Sequence, residues 1–145
     1  MCNENPVEIL LVEDNSGDLF LTKKAFNKAR ITNNIQVATD GEMALNILYK
    51  QEGFEQAQRP DSILLDINLP KKNGQEILTD IKSDESLKMI PVIMLSSSEA
   101  QSDIVQSYKL QASGYIRKPV SFEEFEEVVT SIENFWFNTV KLPQV

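Results

Sequence analysis

Several side chains suited to phosphoryl or metal chemistry stand directly after short apolar runs. Glu13 and Asp14 follow residues 9–12, Asp66 follows 63–65, Ser96 follows 92–95, and Lys118 follows Ile116 and precedes Pro119. Brought together, Glu13, Asp14 and Asp66 would repel one another by about 4 kcal/mol per pair at ~4 Å and an effective dielectric of about 20. Something cationic must compensate. Mg²⁺ suits such a cluster, because it prefers hard oxygen ligands, keeps several waters and is held by one or two carboxylates plus a substrate phosphate. Two positive charges on the metal and one on Lys118 then balance the three carboxylates. A phosphoryl group on Asp66 would place charged oxygens between metal and ammonium, where the Ser96 hydroxyl could donate to one of them.

Taken singly, most of these residues have plainer readings. Glu13-Asp14 reads as a loop turn or helix cap, Lys118 as a surface lysine at a strand end, and Ser96-Ser97-Ser98-Glu99 as a polar turn opening a helix. Tyr115 reads as a strand aromatic packing on a helix. Asp66 is harder to place, since a carboxylate interrupting Ile63-Leu64-Leu65 and Ile67 is costly to bury without a partner. The joint spacing argues for a site.

The elements that would position these residues alternate in type. Apolar runs bounded by turn residues at 8–12, 35–38, 62–67, 92–95 and 114–116 predict buried strands. Between them lie helical spacings: Leu19, Thr22, Phe26 and Ala29; Met43, Ala44, Ile47 and Leu48; Ile77, Leu78 and Ile81; and Ile104, Val105, Tyr108 and Leu110. A last helix is predicted from Ser121 to about 138, opened by a Ser121/Glu124 capping box and facing inward with Phe125, Val128, Val129 and Ile132. Strands alternating with helices predict an α/β fold, a five-stranded parallel sheet flanked by five helices in three layers. In such sheets the loops leaving the carboxyl ends of the strands form the site. All the residues named above fall there.

Composition bounds the rest. At 145 residues the chain predicts one domain, 1–145, with a core of about 6–134 and an extension of about 135–145. The 14 basic and 22 acidic residues give a net charge of −8, which argues against direct nucleic-acid binding. One cysteine, Cys2, and no histidine exclude an intrachain disulfide, a Cys/His zinc site and a His-activated nucleophile. No apolar run approaches the ~20 residues of a membrane span, and the first residues carry no signal pattern, so a cytoplasmic location is expected.

The chain resembles CheY-like response-regulator receiver domains. The resemblance rests on Glu13-Asp14 after the first apolar run, Asp66-Ile67-Asn68-Leu69-Pro70 with Gly74 beyond, Ser96 after 92–95, and Lys118-Pro119. It covers residues from about 6 to 134 and implies the flavodoxin-like (βα)5 fold. By this resemblance Asp66 is the phosphoacceptor that attacks a phosphohistidine in line. Asp14 holds Mg²⁺ directly, Glu13 mostly through water, and the Asn68 backbone carbonyl completes the protein ligands; Mn²⁺ or Ca²⁺ would substitute. Lys118 neutralises phosphoryl oxygens, Ser96 turns toward the phosphoryl group on activation, and Tyr115 is the aromatic switch. Asn68 and Ser98 stand where receivers tune phosphoryl lifetime. The resemblance also implies a cis Lys118–Pro119 bond and a partner surface on the fourth and fifth strands and helices. A receiver is a phosphoacceptor switch rather than a turnover enzyme, taking part in its own phosphotransfer and autodephosphorylation. With no histidine in the chain, the donor must be a separate sensor histidine kinase.

The segment Ser131 to Pro143 is similar to the phytochrome-associated response regulators of cyanobacteria, as is Leu69-Pro70-Lys71-Lys72-Asn73-Gly74. That resemblance implies a phytochrome-type kinase, a homodimer built partly by the last helix and, downstream, a phosphotransfer protein. Phe135, Trp136 and Phe137 are consecutive, so on a helix they point ~100° apart and cannot all enter one core. They are the expected dimer or partner contacts. Three rival functions use related residues or the same fold. A haloacid-dehalogenase-type phosphatase needs an Asp where this chain has Asn68, and a nucleotide-binding domain needs a Gly-rich pattern that residues 13–17 lack. A pseudo-receiver keeps the fold and binds without phosphorylation, and it would need a defect among site residues that are all present.

Overall fold

The computed structural model describes residues 6–30, 32–98 and 100–135. The elements run β1 (Val7–Val12), α1 (Ser16–Asn27), β2 (Asn33–Ala38), α2 (Gly41–Tyr49), β3 (Ser62–Asp66), α3 (Gly74–Lys82), β4 (Val92–Ser96), α4 (Gln101–Lys109), β5 (Gly114–Arg117) and α5 (Phe122–Ile132). A single 3-10 turn, Leu87–Met89, precedes β4. The strands form one sheet in the order β2-β1-β3-β4-β5, and every pairing is parallel.

Alternation along the strands splits the core in two. Leu10, Val12, Ile63, Leu65, Val92 and Met94 face α2 and α3, whereas Ile9, Leu11, Leu64 and Ile93 face α1 and α5. Burial on both faces is why β1, β3 and β4 read as continuous apolar runs rather than as alternating ones. β3 and β4 are buried at every position, Asp66 and Ser96 included.

Local chemistry sets the helix starts. The side chains of Asn15, Asp40 and Asn73 each accept the backbone N–H three residues on, and Asn73 with Glu76 forms a full capping box. Gly74 lets α3 begin directly against the end of β3. A Cβ there would overlap the Asp66 carbonyl oxygen and lie 2.8 Å from Ile67 Cα.

Three expectations are corrected, and a fourth, the end of the last helix, lies outside the described residues. At α5 only half of the predicted capping box forms: Ser121 Oγ accepts the Glu124 N–H, but the Glu124 carboxylate takes the Val120 N–H at 3.3 Å instead of that of Ser121. α5 ends at Ile132 and passes into a wider π-type turn at 133–135, and the predicted end near 138 lies outside the described residues. On α4 the predicted inward stripe is turned: Val105 and Tyr108 are exposed, Ile104 and Leu110 are half-buried, and Ser107 is the fully buried residue. Ser107 can be buried because its hydroxyl donates to Asp103 O at 2.8 Å and receives the Gln75 amide at 3.4 Å. Finally, every peptide bond among the described residues is trans, Lys118–Pro119 included. Trans is the intrinsically favoured X–Pro isomer by about 0.5–1 kcal/mol, and in it the Lys118 N–H already donates to Ser96 O at 2.7 Å.

Candidate phosphoacceptor and metal site

The carboxyl ends of β1, β3 and β5 carry Glu13, Asp66 and Lys118 to one point. Parallel pairing fixes their relative height, since Val12 lies beside Leu65 and Asp66 beside Leu95. Glu13 and Asp66 are almost wholly buried, at 1% and 4% exposure, and the Lys118 side chain is 10% exposed. The Lys118 ammonium reaches Glu13 Oε1 at 2.6 Å, Asp18 Oδ2 at 2.8 Å and Asp66 Oδ2 at 3.0 Å. Three ion-pair partners use all three of its N–H donors.

The electrostatics follow from burial. Glu13 is pushed up from 4.5 to about 7, chiefly by burial, with the Lys118 bond opposing and the neighbouring Asp66 charge adding. Burial pulls Lys118 down, but Asp18, Glu13 and Asp66 together hold it above the ordinary lysine value. The ammonium is therefore a fixed charge at neutral pH.

Glu13, exposed Asp14 and Asp66 each offer an oxygen, and these oxygens lie within 4.8 Å of one another. An all-oxygen donor set with one solvent-facing member fits a small hard dication that keeps part of its water shell. Asn68 stands exposed beside this group, its N–H donating to Asp66 Oδ1 at 3.1 Å.

Ser96 is fully buried one residue past the level of Asp66, and its Oγ accepts the Ser98 N–H at 3.1 Å. Ser98 is bound in further ways, its hydroxyl also accepting the Ala100 N–H at 3.2 Å. Its carbonyl accepts the Tyr115 hydroxyl at 2.9 Å, and its own hydroxyl donates to Asp103 Oδ2 at 2.6 Å. Ser96 and Tyr115, read as a switch pair, thus meet at Ser98, which also fastens the start of α4. Phe135 is half exposed, at 53%, and Trp136 and Phe137 lie outside the described residues.

Asp18 and Asp103 escaped the sequence reading. An Asp in the first turn of a helix ordinarily serves the helix dipole. The usable signal for Asp18 is its place four residues after Asp14, in the first turn of α1. With it, the site holds four carboxylates against one lysine, three of them paired with its ammonium, so the predicted charge balance of zero becomes −1 once a dication is counted.

The chain as a whole is similar to several known proteins. The chain is 39% identical to the response regulator Rcp1 of Synechocystis sp. over 138 residues, 95% of this chain and 94% of that protein. The Mn²⁺-bound form of Rcp1 superposes with a TM-score of 0.88 over 96% of this chain and all of that one. The phosphorylated cyanobacterial phytochrome response regulator RcpA is 41% identical, with a TM-score of 0.91 over 97% of this chain and 100% of that one. The probable methanogenesis regulatory protein FilR2 of Methanothrix harundinacea is 37% identical over 140 residues, 97% of this chain and 90% of that protein. Residues 9–130 match the response regulator receiver domain family, and with the parallel five-stranded sheet and the acidic site above it, the chain belongs to that family.

Proposed function

We propose that this receiver is a phosphoacceptor switch: Asp66 takes a phosphoryl group from the phosphohistidine of a sensor histidine kinase, and the signal leaves by protein–protein contact. The observation that carries this reading is the buried Asp66 carboxylate, 3.0 Å from a lysine ammonium and beside a dication-competent acidic group. An Asp66 oxygen attacks phosphorus in line, the P–N bond breaks, and its electron pair leaves on the donor imidazole. The Lys118 ammonium meets the charge on a phosphoryl oxygen, and the Ser96 hydroxyl donates to another after leaving the Ser98 N–H. Mg²⁺, held by Glu13, Asp14, Asp66 and the Asn68 carbonyl, would neutralise the remaining oxygen charge. The chain is a switch rather than a turnover enzyme, with Asn68 and Ser98 placed to set how long the phosphoryl group lasts.

Similarity to the phytochrome response regulator RcpA favours a phytochrome-type kinase, while the homodimer that uses Phe135, Trp136 and Phe137, and the cytoplasmic location, are carried by the sequence of the chain alone. A downstream phosphotransfer protein fits the same reading. The 37% identity to FilR2 makes the kinase class a separate question from the chemistry.

Intact-protein mass spectrometry after incubation with acetyl phosphate tests the chemistry. A Mg²⁺-dependent adduct that disappears in Asp66→Asn supports it, and no adduct in wild type, repeated with phosphoramidate and a rapid quench, favours a pseudo-receiver. For the dimer, light scattering on a sizing column should give twice the chain mass, and a clean monomer at tens of micromolar, with or without phosphorylation, overturns it.

A further inference from the structure

We infer that Asp18 is a positioning residue that keeps the Lys118 ammonium in the site when a divalent cation is bound. The inference rests on the reading of Glu13, Asp14 and Asp66 as the metal group. Two of the three partners of Lys118, Glu13 and Asp66, belong to that group, and both are engaged by the ammonium at 2.6 and 3.0 Å. A dication arriving there competes for the same oxygens and repels the ammonium. Among the described residues Asp18, at 2.8 Å, is the one ion-pair partner of Lys118 outside the metal group. Of these partners it can hold the lysine without giving up a metal ligand.

Its place in α1 suits that role. The helix start is capped by the Asn15 side chain, which accepts the Asp18 N–H at 2.9 Å, so the Asp18 carboxylate is not spent on the cap. Its side chain is 25% exposed, against 2% for Glu13 and 4% for Asp66, so it is the most solvent-accessible of the three carboxylates on the ammonium. Without Asp18, metal and lysine would have to share Glu13 and Asp66, and each would weaken the other.

The test is a double-mutant cycle on cation affinity, read by isothermal titration calorimetry with MgCl₂ and with MnCl₂ on wild type, Asp18→Asn, Lys118→Met and the double variant. Circular dichroism verifies that each variant is folded, and Asp18→Ser replaces Asp18→Asn should the latter be unfolded. The expected result is non-additivity: the loss of affinity from Asp18→Asn is at least about fivefold larger with Lys118 present than with Met at 118. Equal losses in the two backgrounds would make Asp18 a simple negative charge near the metal and overturn the inference. A wild type that binds neither cation would overturn the metal reading itself, and the inference with it.

Discussion

Glu13 is a residue whose burial changes its chemistry. Its folded value of about 7 lies above the ordinary 4.5, so in the metal-free protein its contribution to stability is present below about pH 4.5 and is lost as pH rises through about 7. Urea midpoints in EDTA should therefore show the advantage of wild type over Glu13→Gln shrinking between about pH 5 and about pH 8. Saturating Mg²⁺, which takes the deprotonated carboxylate, should abolish that trend. A pH-independent difference in EDTA would contradict the burial argument. Gly74 is held to its identity by backbone on the other side of the contact. Its replacement by Ala drives a methyl group into the Asp66 carbonyl, so Gly74→Ala should cost about 2–3 kcal/mol in urea unfolding and reduce the acetyl phosphate adduct as Asp66 shifts.

At the scale of elements, α2 and α4 both end in left-handed residues that are not glycine. Lys50 has φ 56° and Gln111 φ 72°. Lys50 is exposed and remote from the acidic site, so Lys50→Gly should raise stability by about 0.5–1 kcal/mol with no change in Mg²⁺ affinity. A lower thermal midpoint would refute this. α4 also shows where the sequence stops being legible. The buried strands were readable because a core on both faces forces continuous apolar runs, and α1, α2, α3 and α5 because each lays an apolar stripe on the sheet. α4 instead buries a serine whose hydroxyl is satisfied by Asp103 and Gln75, and turns Val105 and Tyr108 outward. Apolar spacing cannot reveal a face closed by hydrogen bonds. Asp18 was hidden for a related reason, since helix-start acids are common and only tertiary placement brings this one to Lys118.

For the whole molecule, the order β2-β1-β3-β4-β5 puts β1 and β3 side by side in the sheet, so the two strands bearing Glu13 and Asp66 are hydrogen-bonded neighbours. A ligand gathered there ties the ends of both central strands, and its binding free energy should appear as global stability. At about 100 times the dissociation constant, Mg²⁺ should add about 2.7 kcal/mol to unfolding of wild type and far less to Asp14→Asn. Scanning calorimetry with and without the ion measures it, and equal gains in both proteins would place the ion elsewhere. Ser98 carries a consequence of a different kind, one of timing. Its amide, carbonyl and hydroxyl are each bonded to a different element, through Ser96 on β4, Tyr115 on β5 and Asp103 on α4. None of the three can reorient without breaking a bond to the same residue. In relaxation-dispersion NMR, Ser96, Ser98, Asp103 and Tyr115 should therefore share a single exchange rate, and Ser98→Ala, which removes only the hydroxyl's bonds, should release Asp103 to a faster process of its own while Ser96 and Tyr115 stay coupled.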